Sequence, residues 1–272
     1  MTDHLLNAKD MAQFVASGFL RLDDAVPRDL CEACLEEMKE YDGYLAVGTP
    51  FEETWPRDTA LGRAFRLPRI KGLIESLVGP EPLYDHHGPH LTRAFETKGP
   101  DTHQDSVIDF RENYFDIQLS LFAEDTPDEM GGTFLIPGTQ FRNVRTGEIG
   151  IYQHMRGKVW ATCPAGTVYV WNTRVWHGAR SNRTGRDRYM YKLRLNPTVP
   201  QVRRFDTAGL DDPEIVEILR TRHGWEGNEF RYELMQRVKQ WRFVSGQPDY
   251  DVGERFLRRI EYNPQRAGAS AR

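Results

Sequence analysis

The chain has 272 residues, a net charge of −4 and three cysteines. It carries no basic tail or stripe for nucleic acid and no run of about 18 apolar residues to span a bilayer. Its first residues lack the layout of a signal peptide, and Cys31, Cys34 and Cys163 cannot build a full disulfide framework, which together point to a reducing, cytoplasmic setting.

Residues 8–17 read as a short helix closed by Gly18, and Phe19 to Leu22 as a strand. Pro27 opens a helix to about Tyr41, with Leu30, Cys34, Leu35 and Met38 at helical spacing. Residues 42–60, rich in Gly, Pro and Thr, read as a loop at a substrate mouth. A helix over 69–77 is broken by Gly79 and Pro80. From Leu83 to about Leu195 strands alternate with turns. The most regular one presents Phe115, Ile117, Leu119 and Leu121 on one face and Asp116, Gln118 and Ser120 on the other. Gly166 to Trp171, the segment at His177, and Arg188 to Leu195 are further strands by their aromatic and aliphatic content. Such strands suggest a double-sheet jelly roll, so the expected fold is mainly β with flanking helices. Asp212 before Pro213 starts a helix with Ile215, Val216, Ile218 and Leu219. Residues 227–244 form a more polar one with Leu234, Val238 and Trp241. These helices brace a sheet, make a dimer contact or form a lid. Residues 265–272 are expected to be disordered. The organisation is one domain over 1–272: a helical part at 8–82, a jelly-roll core at 83–200 and helices at 205–262.

His103, Asp105 and His177 carry the chemistry. Two imidazoles and a carboxylate are the ligand set of a mononuclear non-haem iron(II) site, which leaves three metal positions open. In extended backbone i and i+2 share a side, so His103 and Asp105 reach one ion; the third ligand must come from another strand, as His177 does. The bland alternative makes His103 and Asp105 a bonded loop pair and His177 a buried strand histidine. Arg188, eleven residues after His177, fits the far carboxylate of a dicarboxylic cosubstrate. Arg183, Arg186 and Arg194 compete for that role, the first two from a turn and Arg194 from far along the strand.

Other motifs read as structural. Cys31 and Cys34 have zinc-like spacing but lie on an amphipathic helix with no second pair, which fits core packing. His86, His87 and His90 form a second histidine cluster that lines the pocket or mouth, together with Arg93, Trp55 and Arg57. Asn182 and Thr184 read as turn residues bonding backbone.

The chain resembles the phytanoyl-CoA dioxygenase (PhyH) family over about residues 10–200. The resemblance rests on His103-Gln104-Asp105, the glycine-rich stretch 131–139, Trp176-His177-Gly178, Asn182, Thr184, Arg188 and the segment 14–22. It departs from the family pattern at Gln140, where a histidine is usual, and at Ala179, where a serine is frequent. The resemblance implies iron(II), 2-oxoglutarate and O2 as cofactors. Iron would be held by His103, Asp105 and His177. Arg188 would hold the 2-oxoglutarate C5 carboxylate, with Gln118 as a second contact. Gln104, His90 and Trp171 are the candidate substrate contacts. Retention of Asp105, where related halogenases have a small residue, favours hydroxylation of a polar small molecule, in secondary metabolism or catabolism, by a monomer or homodimer. Two further readings stay open: a non-catalytic cupin-like binding protein and a zinc hydrolase using the same pocket.

Overall fold

Strand β4 (Ile117–Phe122) is buried along its whole length, because each of its faces meets a different layer. The computed structural model describes residues 4–260 except 42, 44–45, 107–108, 143, 145 and 150–154. The expected tail at 265–272 lies outside the described residues. β4 shares a sheet with β1 (Phe19–Leu22), β2 (Ala46–Val47), β3 (Leu83–Thr92), β7 (Thr167–Asn172) and β9 (Arg188–Asn196). This six-stranded antiparallel sheet is ordered β1, β7, β4, β9, β3, β2. A smaller sheet holds β5 (Thr133–Leu135) between β6 (Val159–Trp160) and β8 (His177–Ala179). The two sheets make a mainly β jelly roll with flanking helices.

The helices cover the outer face of the large sheet. They are α1 (Ala8–Ser17), α2 (Arg28–Glu40), α3 (Phe51–Thr54), α4 (Ala60–Ala64), α5 (Pro68–Val78), the short α6 (Thr146–Ile149) beside the small sheet, α7 (Glu214–Leu219) and α8 (Gly227–Ser245). Ile117, Leu119 and Leu121 of β4, Val168 and Val170 of β7, and Tyr191, Leu193 and Leu195 of β9 join Met11, Phe14, Cys31, Cys34, Leu73, Leu77 and Trp241 in the main core. Alternation puts the other residues of the same strands between the sheets, where Phe122, Tyr169, Trp171 and Met190 form a second cluster.

Local signals explain the element ends. The Asn7 side chain accepts from the Asp10 amide at the start of α1. Gly18 ends that helix at φ 85, where a side chain would collide with Gln140 and Val175. Residues 42–60 do not form a plain loop. They contain β2 and α3, and Phe51 is buried against Phe65, His87 and Tyr191. Burial of one aromatic ring recruits a helical turn that composition alone does not announce. Leu234, Val238 and Trp241 of α8 face the main core, while its polar Glu233 and Arg237 make a fully buried ion pair. No helix among the described residues is long and apolar enough to cross a membrane.

Candidate metal and cosubstrate site

His103 and His177 sit opposite each other because their backbones exchange both hydrogen bonds, at 2.9 and 2.8 Å. Asp105 is then fixed by its amide donating to Thr173 O at 2.9 Å, in the turn between β7 and β8. Only His177 belongs to a named strand; His103 forms an isolated bridge and Asp105 lies in a bend. The shared side for i and i+2 therefore comes from two local backbone ties rather than from a regular strand. Gly178 lets the 99–106 segment approach β8, since a Cβ there would lie 2.8 Å from Pro100 O and 2.6 Å from the Phe134 ring.

One ligand atom from each of the three residues falls within 4.8 Å of the other two, the one such His/Cys/Asp/Glu cluster among the described residues. His177 Nε2 is 3.4 Å from Asp105 Oδ2, and His103 Nε2 is 3.8 Å from Oδ1. Each Nδ1 lies against a backbone carbonyl, Asp101 O at 2.7 Å for His103 and Val175 O at 2.9 Å for His177. A proton on Nδ1 satisfies that carbonyl and leaves Nε2 as a bare lone pair facing the carboxylate, which is what a metal requires. Burial pushes the His177 ring down to about 4, against the pull of Asp105, so it is neutral at neutral pH. Burial would raise the Asp105 carboxyl, but His177, Lys192, Arg194 and His103 hold it down at about 2. The donor set thus fits a divalent metal.

The triad opens into a cavity of about 260 Å³ that reaches Arg188. Arg188 is 4% exposed. Its Nη2 donates to Thr92 Oγ1 at 2.7 Å, while Nε and Nη1 have no partner. Burial lowers its pKa, with Glu124 and Glu96 pulling the other way. A buried guanidinium with two unused donors beside a cavity fits a carboxylate.

Gln118, Trp171 and His90 also line this cavity. Trp171 Nε1 and His90 Nε2 are buried and unpartnered, and burial pushes the His90 ring down to about 4. Gln104 faces elsewhere: its Nε2 donates to Val144 O at 3.2 Å, and it does not line the cavity. The histidine cluster is divided between the two sides of β3. His87 turns into the main core, between Tyr191 Oη at 2.8 Å and Thr49 O at 3.0 Å, and His86 pairs with Asp85. Trp55 donates to Tyr191 Oη behind the sheet, Arg57 is exposed, and Arg93 pairs with Asp187. Of the expected mouth residues only His90 lines the cavity: His87 lies on the opposite face of β3, His86 is taken up by Asp85, and Trp55, Arg57 and Arg93 lie off that strand.

Two cations complete the site in a way that spacing along the chain does not announce. Arg194, far along the strand from Arg188, reaches Asp105 Oδ2 at 2.7 Å and Gln118 Oε1 at 3.4 Å. Lys192 Nζ lies 3.8 Å from the same carboxylate oxygen. Both share the parity of Arg188 on β9, a signal present in the sequence. Thr133 faces Ala179 across β5 and β8 and lines the cavity, so a hydroxyl stands next to the missing serine. Gln140 is structural, donating to Val15 O at 3.1 Å. The Asn182 amide bridges the Arg93 and Arg186 carbonyls and accepts from Thr184, as a turn residue does. Cys31, Cys34 and Cys163 are free and buried.

No curated protein matches the chain. Solved structures with the same fold include apo HygX from Streptomyces hygroscopicus (TM-score 0.57, 14% identity, 71% of this chain and 87% of that one). EctD from S. alaskensis in its apoform aligns at TM-score 0.57 and 18% identity over 72% of this chain and 79% of its own. The epimerase SnoN, in complex with Fe3+, alpha ketoglutarate and nogalamycin RO, aligns at 0.56 and 17% over 70% and 83%. At such identities the likeness concerns the fold. The phytanoyl-CoA dioxygenase (PhyH) family model matches residues 14–190, well over half of the chain, and with the triad and the arginine in place the chain belongs to that family, as an iron- and 2-oxoglutarate-dependent dioxygenase.

Proposed function

We propose that the protein oxidises an unactivated carbon of a polar small molecule, by hydroxylation, with iron(II) on His103, Asp105 and His177 and 2-oxoglutarate anchored by Arg188. The observation that carries this reading is the pairing of two unfinished sites in one cavity: a metal-ready triad at one end and a buried guanidinium with two unused donors at the other. Bound iron and 2-oxoglutarate supply the oxidising power with O2. The chain's own residues orient and exclude water. Val175 O and Asp101 O hold the two imidazoles in the ligating tautomer. Arg194 holds one oxygen of Asp105, and Trp171 and Met190 wall the cavity. Gln118 is a second polar contact on its floor. Natural-product metabolism is the proposed setting. In support, the non-heme alpha ketoglutarate dependent epimerase SnoN, which has the same fold, comes from nogalamycin biosynthesis.

The test is anaerobic addition of iron(II) and 2-oxoglutarate to metal-free protein. A visible charge-transfer band that needs both additions and vanishes in His177→Ala is expected. Metal binding without any band would overturn the reading and favour a hydrolase or a binding protein. In Asp105→Ala, succinate formation coupled to substrate oxidation should fall at least about a thousandfold, in the range seen when an essential catalytic group is removed.

A further inference from the structure

The cavity side of β9 carries Arg188, Met190, Lys192 and Arg194 in one row. Arg188 has its task at the far end, and Arg194 is engaged by Asp105 and Gln118. Lys192 is left over. Its side chain is 12% exposed, and its nearest counter-charge among the described residues is Asp105 at 3.8 Å, beyond hydrogen-bond length. Across the sheet it faces Gly88 on β3, which has no side chain, and Ser120 on β4, whose buried hydroxyl has no partner. One step along the sheet, opposite Gln118 on β4, Trp171 of β7, 1% exposed, lines the same cavity with an unpartnered Nε1–H.

Once a divalent metal sits on the triad, Asp105 serves the metal. The charges of metal and Arg188 are then met by Asp105 and the two carboxylates of the cosubstrate. Arg194 keeps its hold on one oxygen of Asp105, and Lys192 remains without a hydrogen-bonded counter-charge at the metal end. The other acids nearby make their hydrogen bonds elsewhere, Glu96 with the Arg93 amide and Asp85 with His86, and Asp85 acts on Lys192 only through space. A buried ammonium in that position is unfavourable unless an anion completes it.

We propose that the substrate is an organic anion, whose carboxylate or phosphate sits on the Lys192 ammonium with the Trp171 indole N–H as a second donor. This rests on the oxygenase reading of the same cavity. The acid group thereby fixes which carbon faces the metal, so Lys192 and Trp171 set regioselectivity as well as affinity.

The probes are aliphatic carboxylates of four to eight carbons, the matching alkyl phosphates and the matching primary amides. Each is titrated anaerobically into protein saturated with iron(II) and 2-oxoglutarate, following shifts of the charge-transfer band and tryptophan fluorescence. Acids should bind at least about tenfold more tightly than amides, the yield of one charge-assisted hydrogen bond. Lys192→Met should still form the band with iron and 2-oxoglutarate but lose the preference, and Lys192→Arg should keep it. A preference limited to carboxylates or to phosphates names the headgroup. Equal binding of acids and amides, bleaching of the band by acids, or a preference that survives in Lys192→Met would overturn the proposal while leaving the oxygenase reading intact. Absence of the band in the wild type would instead remove the oxygenase reading, and this inference with it.

Discussion

Neighbouring residues of β9 occupy opposite environments. Tyr191, Leu193 and Leu195 enter the apolar core beneath the helices, while Arg188 and Lys192 line the cavity between the sheets and Arg194, on the same side, reaches Asp105. β3 repeats the contrast with histidines, His87 in the core and His90 in the cavity. On the helix side the Trp55 indole and the His87 ring both bond the Tyr191 hydroxyl. On the cavity side Arg188, His90 and Trp171 keep donors or acceptors without a partner. At the cavity the buried donors and acceptors without partners leave a place for ligands.

The largest effect is expected on the helix side. Leu119, fully buried on β4, should cost about 2–5 kcal/mol as Leu119→Ala, read from denaturant unfolding, with the charge-transfer band intact in the surviving folded fraction. Loss of the band without loss of stability would show that the two faces are not separable. A cavity-side change should do the reverse. Arg188→Met should raise the 2-oxoglutarate KM about 10- to 100-fold and leave the thermal midpoint at or above that of the wild type, since an incompletely paired buried cation is removed. A large drop in the midpoint would make Arg188 a structural residue.

Acid has the smallest effect but touches both faces. Burial lowers the pKa of His87, and brings His90 and His177 to about 4, against about 6.5 in an unfolded chain. Between those values the unfolded state binds more protons, so stability rises with pH across that window, is complete above it and is lost as pH falls toward 4. For metal-free protein, one histidine near 4 contributes on the order of 2 kcal/mol of loss at pH 5. His90→Gln should flatten the pH dependence of the unfolding free energy by about that amount; an unchanged slope would place His90 in contact with water.

The ligand types, the period-two alternation of β4 and the spacing from His177 to Arg188 were legible in the chain alone, because they depend on bonds and backbone repeats a few residues long. The parity that sends Lys192 and Arg194 to the side of Arg188 was legible too, although distance along the strand hid their use: they are remote from Arg188 but close to Asp105. The remaining placements needed three dimensions. That Asp105 meets Arg194 depends on a tie to Thr173 in another segment. That Trp55 and His87 belong to the core depends on which layer the helices cover, and that Gln104 turns to Val144 rather than the cavity depends on a loop forty positions away. Such choices are fixed by strand register and layer packing between distant parts of the chain, where local spacing carries no information.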